Sequence, residues 1–393
     1  MCLIGIKLAT LIYHMKKLTT LLVLTFISAL TFAQCNGRYQ TEIFSSVTKT
    51  TVNYSDIYSD NAHSMDIYIP DGDVEINRPV IIYMHGGSFI GGDKSAIDCV
   101  DFCEKFAKKG YVTASANYRL ANDVQSFALY QEEQYTTVLK VVSDIKGAIR
   151  YFRKSLVNGN PYGIDGNAIF IGGYSAGAVA AIHSAYIDSI SNLPISITYI
   201  DILTGQSVDF NPQDLVNTIG GNLEGDAGNY GFSSEVSGVI SFAGGINDIN
   251  WIDISDEPIV SCQGDADQTV NYNCGPGLNI PTVFTLCGAA EIHPKANAEG
   301  VTNDYLVFTG EEHEWCSSGN NSSLFVQALD FTSAFLFPLL PCNNTTSISE
   351  ENARNKQLIG ITDMLGRNTS IISNSTLFYI YDDGSVEKRI TLN

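Results

Sequence analysis

Branched apolar residues are concentrated in six short segments of the chain: RPVIIYMHGG, YVTASANYRL, NAIFIGGYS, VSGVISFAGG, EPIVSCQG and NDYLVFTG. Such runs lack alternation and are typical of strands buried on both faces of a sheet. Between them, residues 98–109, 132–156 and 176–189 have apolar positions at helical spacing. Strands that alternate with helices predict an α/β fold, in which a mostly parallel central sheet is flanked by helices.

Three regions depart from this alternation of strands and helices. Residues 53–69 alternate as in strands and end at the turn sequence PDGD. Residues 194–234 are long and glycine-rich, which is typical of a lid-like insertion and also of a decorated surface loop. The polar stretch 343–355 has the composition of a linker, and 356–393 follows with three β-like runs. We therefore expect a large domain over 34–342 and a small all-β domain over 356–393.

The N-terminus has the pattern of a targeting segment. Lys16 and Lys17 precede the apolar run LTTLLVLTFISALTFA, which ends at the small residue Ala33. A basic region, an apolar region and a small residue at the cleavage point predict a signal peptide over 1–33. Met15, directly before the lysines, is a second candidate start, and the run is short for a membrane span.

Composition and charge narrow the possible partners. The 393 residues are 45% hydrophobic and 16% charged, which favours a large folded core over disorder. A formal net charge of −20 argues against nucleic acid and anionic membranes as partners. Eight of the nine cysteines lie after the leader, an even number consistent with disulfides in an exported chain, but spacing alone selects no pairing.

Ser175 is the candidate nucleophile. It is the central residue of Gly173-Tyr174-Ser175-Ala176-Gly177, where a predicted strand gives way to a predicted helix. In that context a G-x-S-x-G sequence forms a sharp turn that holds the hydroxyl at the carboxyl edge of the sheet. A serine hydroxyl is a weak nucleophile alone, so a histidine and an orienting carboxylate must follow.

Two histidines and two aspartates compete for those roles. His313, in a loop after the last predicted strand, is favoured over His293, which precedes a proline. Asp267 is favoured over Asp265, because it lies three residues beyond Gly264 and the turn can bring its carboxylate back toward the sheet. We expect Asp265 to support that turn. His293 and His63 are expected at the surface.

Backbone donors for an oxyanion are expected after the first central strand. The segment HGGSF supplies exposed N–H groups, and Gly87 and Ser88 are the candidates together with the N–H of Ala176. His85 is expected to fix this loop. An isolated HGG is as typical of an ordinary glycine turn, so the assignment depends on its combination with Ser175, Asp267 and His313 in this order.

These motifs resemble the α/β-hydrolase family, and more narrowly its carboxylesterase and lipase branch with an HGG loop. MDIYIPDG, FAKKGYVTASANYRL and DIKGAIRYFRK are also similar to that branch, so the likeness covers roughly residues 53–337. The resemblance implies hydrolysis of a carboxylic ester without a metal or organic cofactor. Ser88 and Ala178 stand where many relatives have glycine, and neither removes a backbone donor.

The C-terminal segment has a resemblance of its own. KQLIGITDMLGRNTSI and LFYIYDDGSVEK resemble the sorting domain of type IX secretion, which implies export through the outer-membrane secretion machinery of a Gram-negative bacterium. A small carbohydrate-binding or packing module is the alternative for this segment.

Together the patterns predict a secreted or cell-surface serine hydrolase of neutral esters, either small or polymeric. A peptidase or polyesterase could use the same residues. A hydrolase-fold binding module without catalysis is the alternative of a different class.

Overall fold

The computed structural model describes residues 35, 37–343, 358–362, 369, 376–381 and 386–390. The chain divides into two compact units, Met1–Asn344 and Thr345–Asn393. The predicted signal peptide lies outside the described residues, as does the predicted linker from residue 344 onward.

The elements of the first unit alternate along the chain as the apolar segments predict. Its strands within the described residues are β1 (Val47–Asn53), β2 (Ser64–Pro70), β3 (Arg78–Met84), β4 (Val112–Ala116), β5 (Ile164–Tyr174), β6 (Ile197–Ile200), β7 (Ser207–Phe210), β8 (Val239–Phe242), β9 (Ile259–Gly264), β10 (Cys274–Pro276), β11 (Thr285–Cys287) and β12 (Asn303–Phe308). Its α-helices there are α1 (Ile97–Lys108), α2 (Val124–Leu129), α3 (Gln131–Val157), α4 (Ala176–Tyr186), α5 (Pro212–Leu215), α6 (Ala289–Glu299) and α7 (Ser323–Leu336).

Eight strands form the central sheet in the order β1-β2-β4-β3-β5-β8-β9-β12. The pairs β1–β2 and β2–β4 are antiparallel, and every other neighbouring pair is parallel. The sequence-based prediction of an α/β fold with a mostly parallel sheet is therefore confirmed. Because β3, β5, β8, β9 and β12 run parallel, their carboxyl ends share one edge, where loops can bring polar side chains together.

Both faces of the sheet are covered by helices. Every residue of β3 is buried, and its side chains alternate between two apolar clusters. Ile82 belongs to the cluster that also contains residues of α3, α4 and α6, whereas Ile81 and Tyr83 belong to the cluster that contains residues of α1 and α7. Burial on both faces explains why the central segments are continuously apolar rather than alternating.

The edge of the sheet differs from the prediction for residues 53–69. Asn53 ends β1 and pairs with Ser64, so residues 54–63 form the loop of a hairpin and not part of a strand. Tyr54 anchors that loop, since its hydroxyl donates to the carbonyls of Ala62 and Asn117. His63 is buried in the same region, bonded to Asp60 and Asp144, so the prediction of a surface position was wrong.

Two disulfides hold the first unit. Cys35–Cys342 joins the beginning and the end of its described residues, and Cys274–Cys287 joins β10 to β11. The other four described cysteines are buried free thiols, which are Cys99, Cys103, Cys262 and Cys316. Two disulfides among the described residues thus meet the expectation, and these four thiols serve as small core residues.

The insertion 194–234 contains the hairpin β6–β7 and helix α5. Its later part lies against α3: Asp226 pairs with Arg119 and accepts from Ser143, and Glu224 pairs with Arg150. A Cβ on Gly225 would lie 2.1 Å from the Ser143 hydroxyl, so only glycine allows this approach. These contacts fasten the insertion to the body of the unit.

The second unit contains an antiparallel three-stranded sheet of β13 (Leu358–Thr362), β14 (Thr376–Tyr381) and β15 (Val386–Ile390). The three β-like runs predicted from the sequence are confirmed as strands. Over the described parts of the chain, no helix is both long and apolar enough to cross a membrane.

Candidate active site

Ser175 lies on the sharp turn between β5 and α4. Its backbone has φ 55° and ψ −121°, a conformation that residues with a side chain rarely adopt. The N–H of Ser175 donates to the carbonyl of Phe242 on β8 at 2.8 Å, which ties the turn to the neighbouring strand. The hydroxyl is consequently held at the carboxyl edge of the sheet, at the N-terminus of a helix.

The two glycines of the pentapeptide are required by the end of β3. A Cβ on Gly173 would lie 2.6 Å from the carbonyl oxygen of Met84, and one on Gly177 would lie 2.3 Å from the same atom. Real Cβ atoms do not approach backbone so closely, so any other residue would push α4 away from β3. The motif therefore serves helix–strand packing as well as the turn.

Asp267 and His313 complete a hydrogen-bonded chain with Ser175. The Oγ of Ser175 lies 2.8 Å from Nε2 of His313, and Nδ1 of His313 lies 2.7 Å from Oδ2 of Asp267. All three residues are at least 95% buried. His313 follows β12 and Asp267 follows β9, so loops at the same sheet edge supply both side chains.

The turn after β9 distinguishes the two aspartates. Oδ1 of Asp267 accepts the N–H groups of Thr269 and Val270, which fixes the carboxylate with Oδ2 facing His313. Oδ1 of Asp265 instead accepts the N–H of Gly310 at 2.6 Å, so this residue joins the two loops after β9 and β12. The geometry brings Asp267 to the histidine and leaves Asp265 in a supporting position.

Tyr174 holds His313 from two directions, a contact that the sequence analysis missed. Its ring stacks on the imidazole with centroids 5.3 Å apart, and its hydroxyl donates to the carbonyl of His313 at 3.1 Å. Tyr174 occupies the variable position directly before Ser175, where the motif alone specifies no residue type. It thereby connects the turn that carries Ser175 to the loop that carries His313.

We predict that Tyr174→Phe lowers kcat about 2- to 10-fold with little change in KM, because one buried hydrogen bond that positions His313 is lost. Steady-state kinetics on a small ester would measure it. Tyr186→Phe is the matched control, since Tyr186 is also buried and donates to a backbone carbonyl, that of Glu257, but lines neither cavity at Ser175. Equal effects of both variants, or a change in KM alone, would contradict the positioning role.

The loop after β3 lies beside Ser175 and carries the predicted backbone donors. Gly87 has φ 116° and Ser88 has φ 56°, and both line the cavities at Ser175 together with Ala176. Within the described chain, the N–H groups of Gly87, Ser88 and Ala176 have no acceptor. Three unpaired donors next to a serine hydroxyl are what a developing oxyanion requires.

His85 supports this loop. Its Nδ1–H donates to the carbonyl of Gly86 at 2.7 Å, and its ring stacks on Tyr118 with centroids 4.3 Å apart. Burial lowers the pKa of His85, so the ring is neutral at neutral pH. A Cβ on Gly87 would lie 2.2 Å from the carbonyl oxygen of Gly91, which explains glycine at that position.

Two cavities of different character meet at Ser175. The apolar arm, about 360 Å³ counted to its mouth, is lined by Ser88, Phe89, Phe127, Ser175, Ala176, Val179, Thr269, Val270, Gly277, Leu278, Val283, Phe284 and Leu286. The open arm, about 810 Å³ counted to its mouth, is lined by Gly86, Gly87, Ser88, Ala96, Ile97, Asp98, Tyr174, Ser175, Thr269, His313, Glu314 and Ser317.

Much of the apolar arm comes from the β10–β11 segment, which the Cys274–Cys287 disulfide closes and which the sequence analysis did not single out. Neither lining includes a residue of 194–234. The predicted lid-like insertion therefore contributes no residue to the linings of these two cavities.

The open arm is acidic. Asp98 is 96% buried at the start of α1, and burial raises the pKa of its carboxyl to about 6. Glu314 lies on the same lining, and no Lys or Arg is among these residues, all of which the structure describes. The arm is consequently unsuited to an anionic group and open to a neutral polar one.

His293 lies apart from Ser175. It is fully buried on α6, where Nδ1 bonds to Asn303 and the ring stacks on Tyr305, so the prediction of a surface position was wrong. Burial lowers the pKa of His293 to about 4. In the part of the chain that the structure covers, no group of three or more His, Cys, Asp or Glu side chains is arranged to hold a metal ion.

The sheet order, the turn at Ser175 and the mostly parallel strands define an α/β-hydrolase fold. The family model BD-FAE matches residues 65–279, more than half of the chain. The chain therefore belongs to the BD-FAE family, a family of α/β-hydrolase-like esterases. Among curated proteins no match was found.

Solved structures of esterases share the fold. A truncated carbohydrate esterase from gut microbiota is 19% identical with a TM-score of 0.50, covering 75% of this chain and 97% of its own. Native esterase 2 of Thermogutta terrifontis is also 19% identical with a TM-score of 0.51, and the match covers 74% of this chain and 92% of its own. The same esterase phosphorylated by paraoxon is 18% identical with a TM-score of 0.50, and the match covers 74% of this chain and 94% of its own. At these identities the likeness shows the fold.

Proposed function

We propose that this protein hydrolyses carboxylic esters through a covalent acyl-enzyme formed on Ser175. The observation that carries the proposal is the unbroken hydrogen-bonded chain from Ser175 through His313 to Asp267. It lies next to three unpaired backbone N–H groups, in a chain of an esterase family.

Each group has one role in the reaction. His313 takes the proton of the Ser175 hydroxyl at Nε2 as the oxygen attacks the carbonyl carbon, and then gives it to the leaving alcohol. Asp267 keeps the proton of His313 on Nδ1 and stabilises the imidazolium. The N–H groups of Gly87, Ser88 and Ala176 bind the oxyanion. Water then attacks the acyl-enzyme by the same route and releases the acid.

The two arms suit different parts of the ester. The apolar arm suits the acyl group, and the open acidic arm suits a neutral polar alcohol portion, either of a small ester or of a polymer. The carbohydrate esterase among the structural neighbours is compatible with such an alcohol. Two candidates compete with this reading: a peptidase or polyesterase that uses the same residues, and a binding module without catalysis.

A chromogenic acetyl ester and a matched acetyl amide would test the proposal with the purified full-length protein. We expect a burst followed by turnover of the ester, and paraoxon should add one phosphoryl group to the peptide that contains Ser175. Turnover of the amide at a comparable kcat/KM would favour the peptidase. A protein that neither turns over the ester nor reacts with paraoxon would be the binding module.

We also propose that the protein is exported and that residues 356–393 act as its secretion sorting domain. Support comes from the leader pattern over 1–33, the likeness of the C-terminal segment to such domains, and two disulfides, which persist in oxidising compartments.

A chain that ends at Asn343 should retain esterase activity, because the site residues and the large sheet all precede that position. In its native host it should accumulate behind the outer membrane, as measured by activity in the medium and in the periplasm. Unchanged secretion would contradict the sorting role, and a misfolded truncated enzyme would show that the tail belongs to the core.

A further inference from the structure

A second apolar cavity adjoins the apolar arm. Counted to its mouth it encloses about 280 Å³, and its lining includes Tyr135, Leu139, His183, Asn247, Trp251 and Phe284. Phe284 belongs to both linings, so one side chain borders the arm at Ser175 and the cavity beyond it. None of the lining residues carries a full charge at neutral pH, because burial lowers the pKa of His183 to about 4.

The two spaces follow one another along α4. Ser175 and Val179 line the apolar arm, and His183, one turn after Val179, lines the second cavity. Residues four apart lie on the same face of a helix, and each adds about 1.5 Å of rise. The second cavity thus begins roughly 12 Å along the helix from Ser175, on the face that the acyl group of an ester would follow.

His183 presents an unused acceptor at this point. The residue is 98% buried, and its Nδ1–H donates to the carbonyl of Val179 at 2.7 Å. Because the neutral ring carries one proton, Nε2 is an acceptor. No described residue donates to Nε2, whereas the polar groups of Asn247 are bonded to Tyr135 and Thr285. A hydroxyl on a bound molecule would give this nitrogen a hydrogen-bond partner.

We propose that this cavity is a distal acyl subsite, which receives the far end of a long apolar acyl chain, with Phe284 setting the chain length and His183 accepting a terminal hydroxyl. The proposal rests on the proposed ester hydrolysis at Ser175. The absence of a charge on the lining excludes an acyl group that ends in a carboxylate, since burial of an unpaired charge is unfavourable.

The test compares p-nitrophenyl esters of straight-chain acids, from acetate to dodecanoate, with esters of the corresponding ω-hydroxy acids. We expect a preferred chain length at which the hydroxylated ester has a kcat/KM about 2- to 10-fold above the plain one. His183→Leu should remove that preference at the same chain length. Phe284→Ala should move the optimum to longer chains, while Phe232→Ala, an aromatic that lines a separate surface cleft and neither of these two cavities, should not.

A second variant and a binding measurement keep the test decisive. Leu139→Phe fills the cavity and should lower the ratio of long-chain to acetyl kcat/KM. Calorimetry with methyl ω-hydroxyalkanoates and the Ser175→Ala protein measures binding in the absence of turnover. Adding His183→Leu to the Ser175→Ala protein should weaken the binding of these esters. An active enzyme with an unmoved optimum and no hydroxyl preference would overturn the distal subsite. Tight, His183-dependent binding without turnover in the wild type would instead overturn only the proposed hydrolysis.

Discussion

Replacement of Ser175 by alanine is expected to abolish ester turnover, with a loss of kcat on the order of 10⁴-fold or more. The change removes the one atom that lies 2.8 Å from Nε2 of His313 and faces both arms of the site. Backbone donors and bound substrate remain, so a small residual rate above water is expected. Initial rates on a chromogenic acetyl ester would measure the loss.

The same substitution should leave the fold intact. Alanine can occupy the turn at φ 55° with the same strain as serine, and the N–H of residue 175 still donates to Phe242. Ser184→Ala is the matched control, because Ser184 is a buried serine on the same helix whose hydroxyl has no partner among the described residues. If Ser175→Ala retained wild-type kcat, or if Ser184→Ala were equally inactive, Ser175 would not be the nucleophile.

The position of Ser175 could be predicted because its causes are local. An apolar run, a G-x-S-x-G sequence and a helix-forming stretch follow one another directly, and each constrains the next. Asp267 and His313 required one further assumption, that the loops after β9 and β12 meet at the same sheet edge. Parallel strands make that assumption reasonable. The order of these segments along the chain was therefore enough to predict the fold and to propose the residues of the site.

Contacts between segments that are far apart in the sequence could not be predicted. The β10–β11 segment, which supplies five of the thirteen residues that line the apolar arm, has strands of only three residues, too short for a periodic pattern. His63 and His293 were expected at the surface, whereas Asp144 bonds to His63 and Asn303 bonds to His293 in the interior. Burial of a polar residue depends on such partners.

The role of Asp267 leads to the second large expected effect, a loss of kcat of roughly 10⁴-fold for Asp267→Asn. Oδ1 of Asp267 accepts two backbone N–H groups, from Thr269 and Val270, so an asparagine would keep its carbonyl oxygen at that position. Its amide NH₂ would then face Nδ1 of His313, which lies 2.7 Å from Oδ2 in the native site. An N–H donor there forces the imidazole proton onto Nε2, and Nε2 can no longer accept the proton of Ser175.

Asp265→Asn provides the matched control for this argument. Asp265 lies two residues away on the same turn, but its Oδ1 accepts from the N–H of Gly310, an interaction that an asparagine oxygen retains. We therefore expect kcat within a few-fold of wild type for Asp265→Asn, measured on the same ester and at the same pH. Because both variants remove one negative charge from the same loop, a general electrostatic effect would lower kcat in both. Only the tautomer of His313 separates them, so equal losses would contradict the assignment of Asp267 as the residue that orients the histidine.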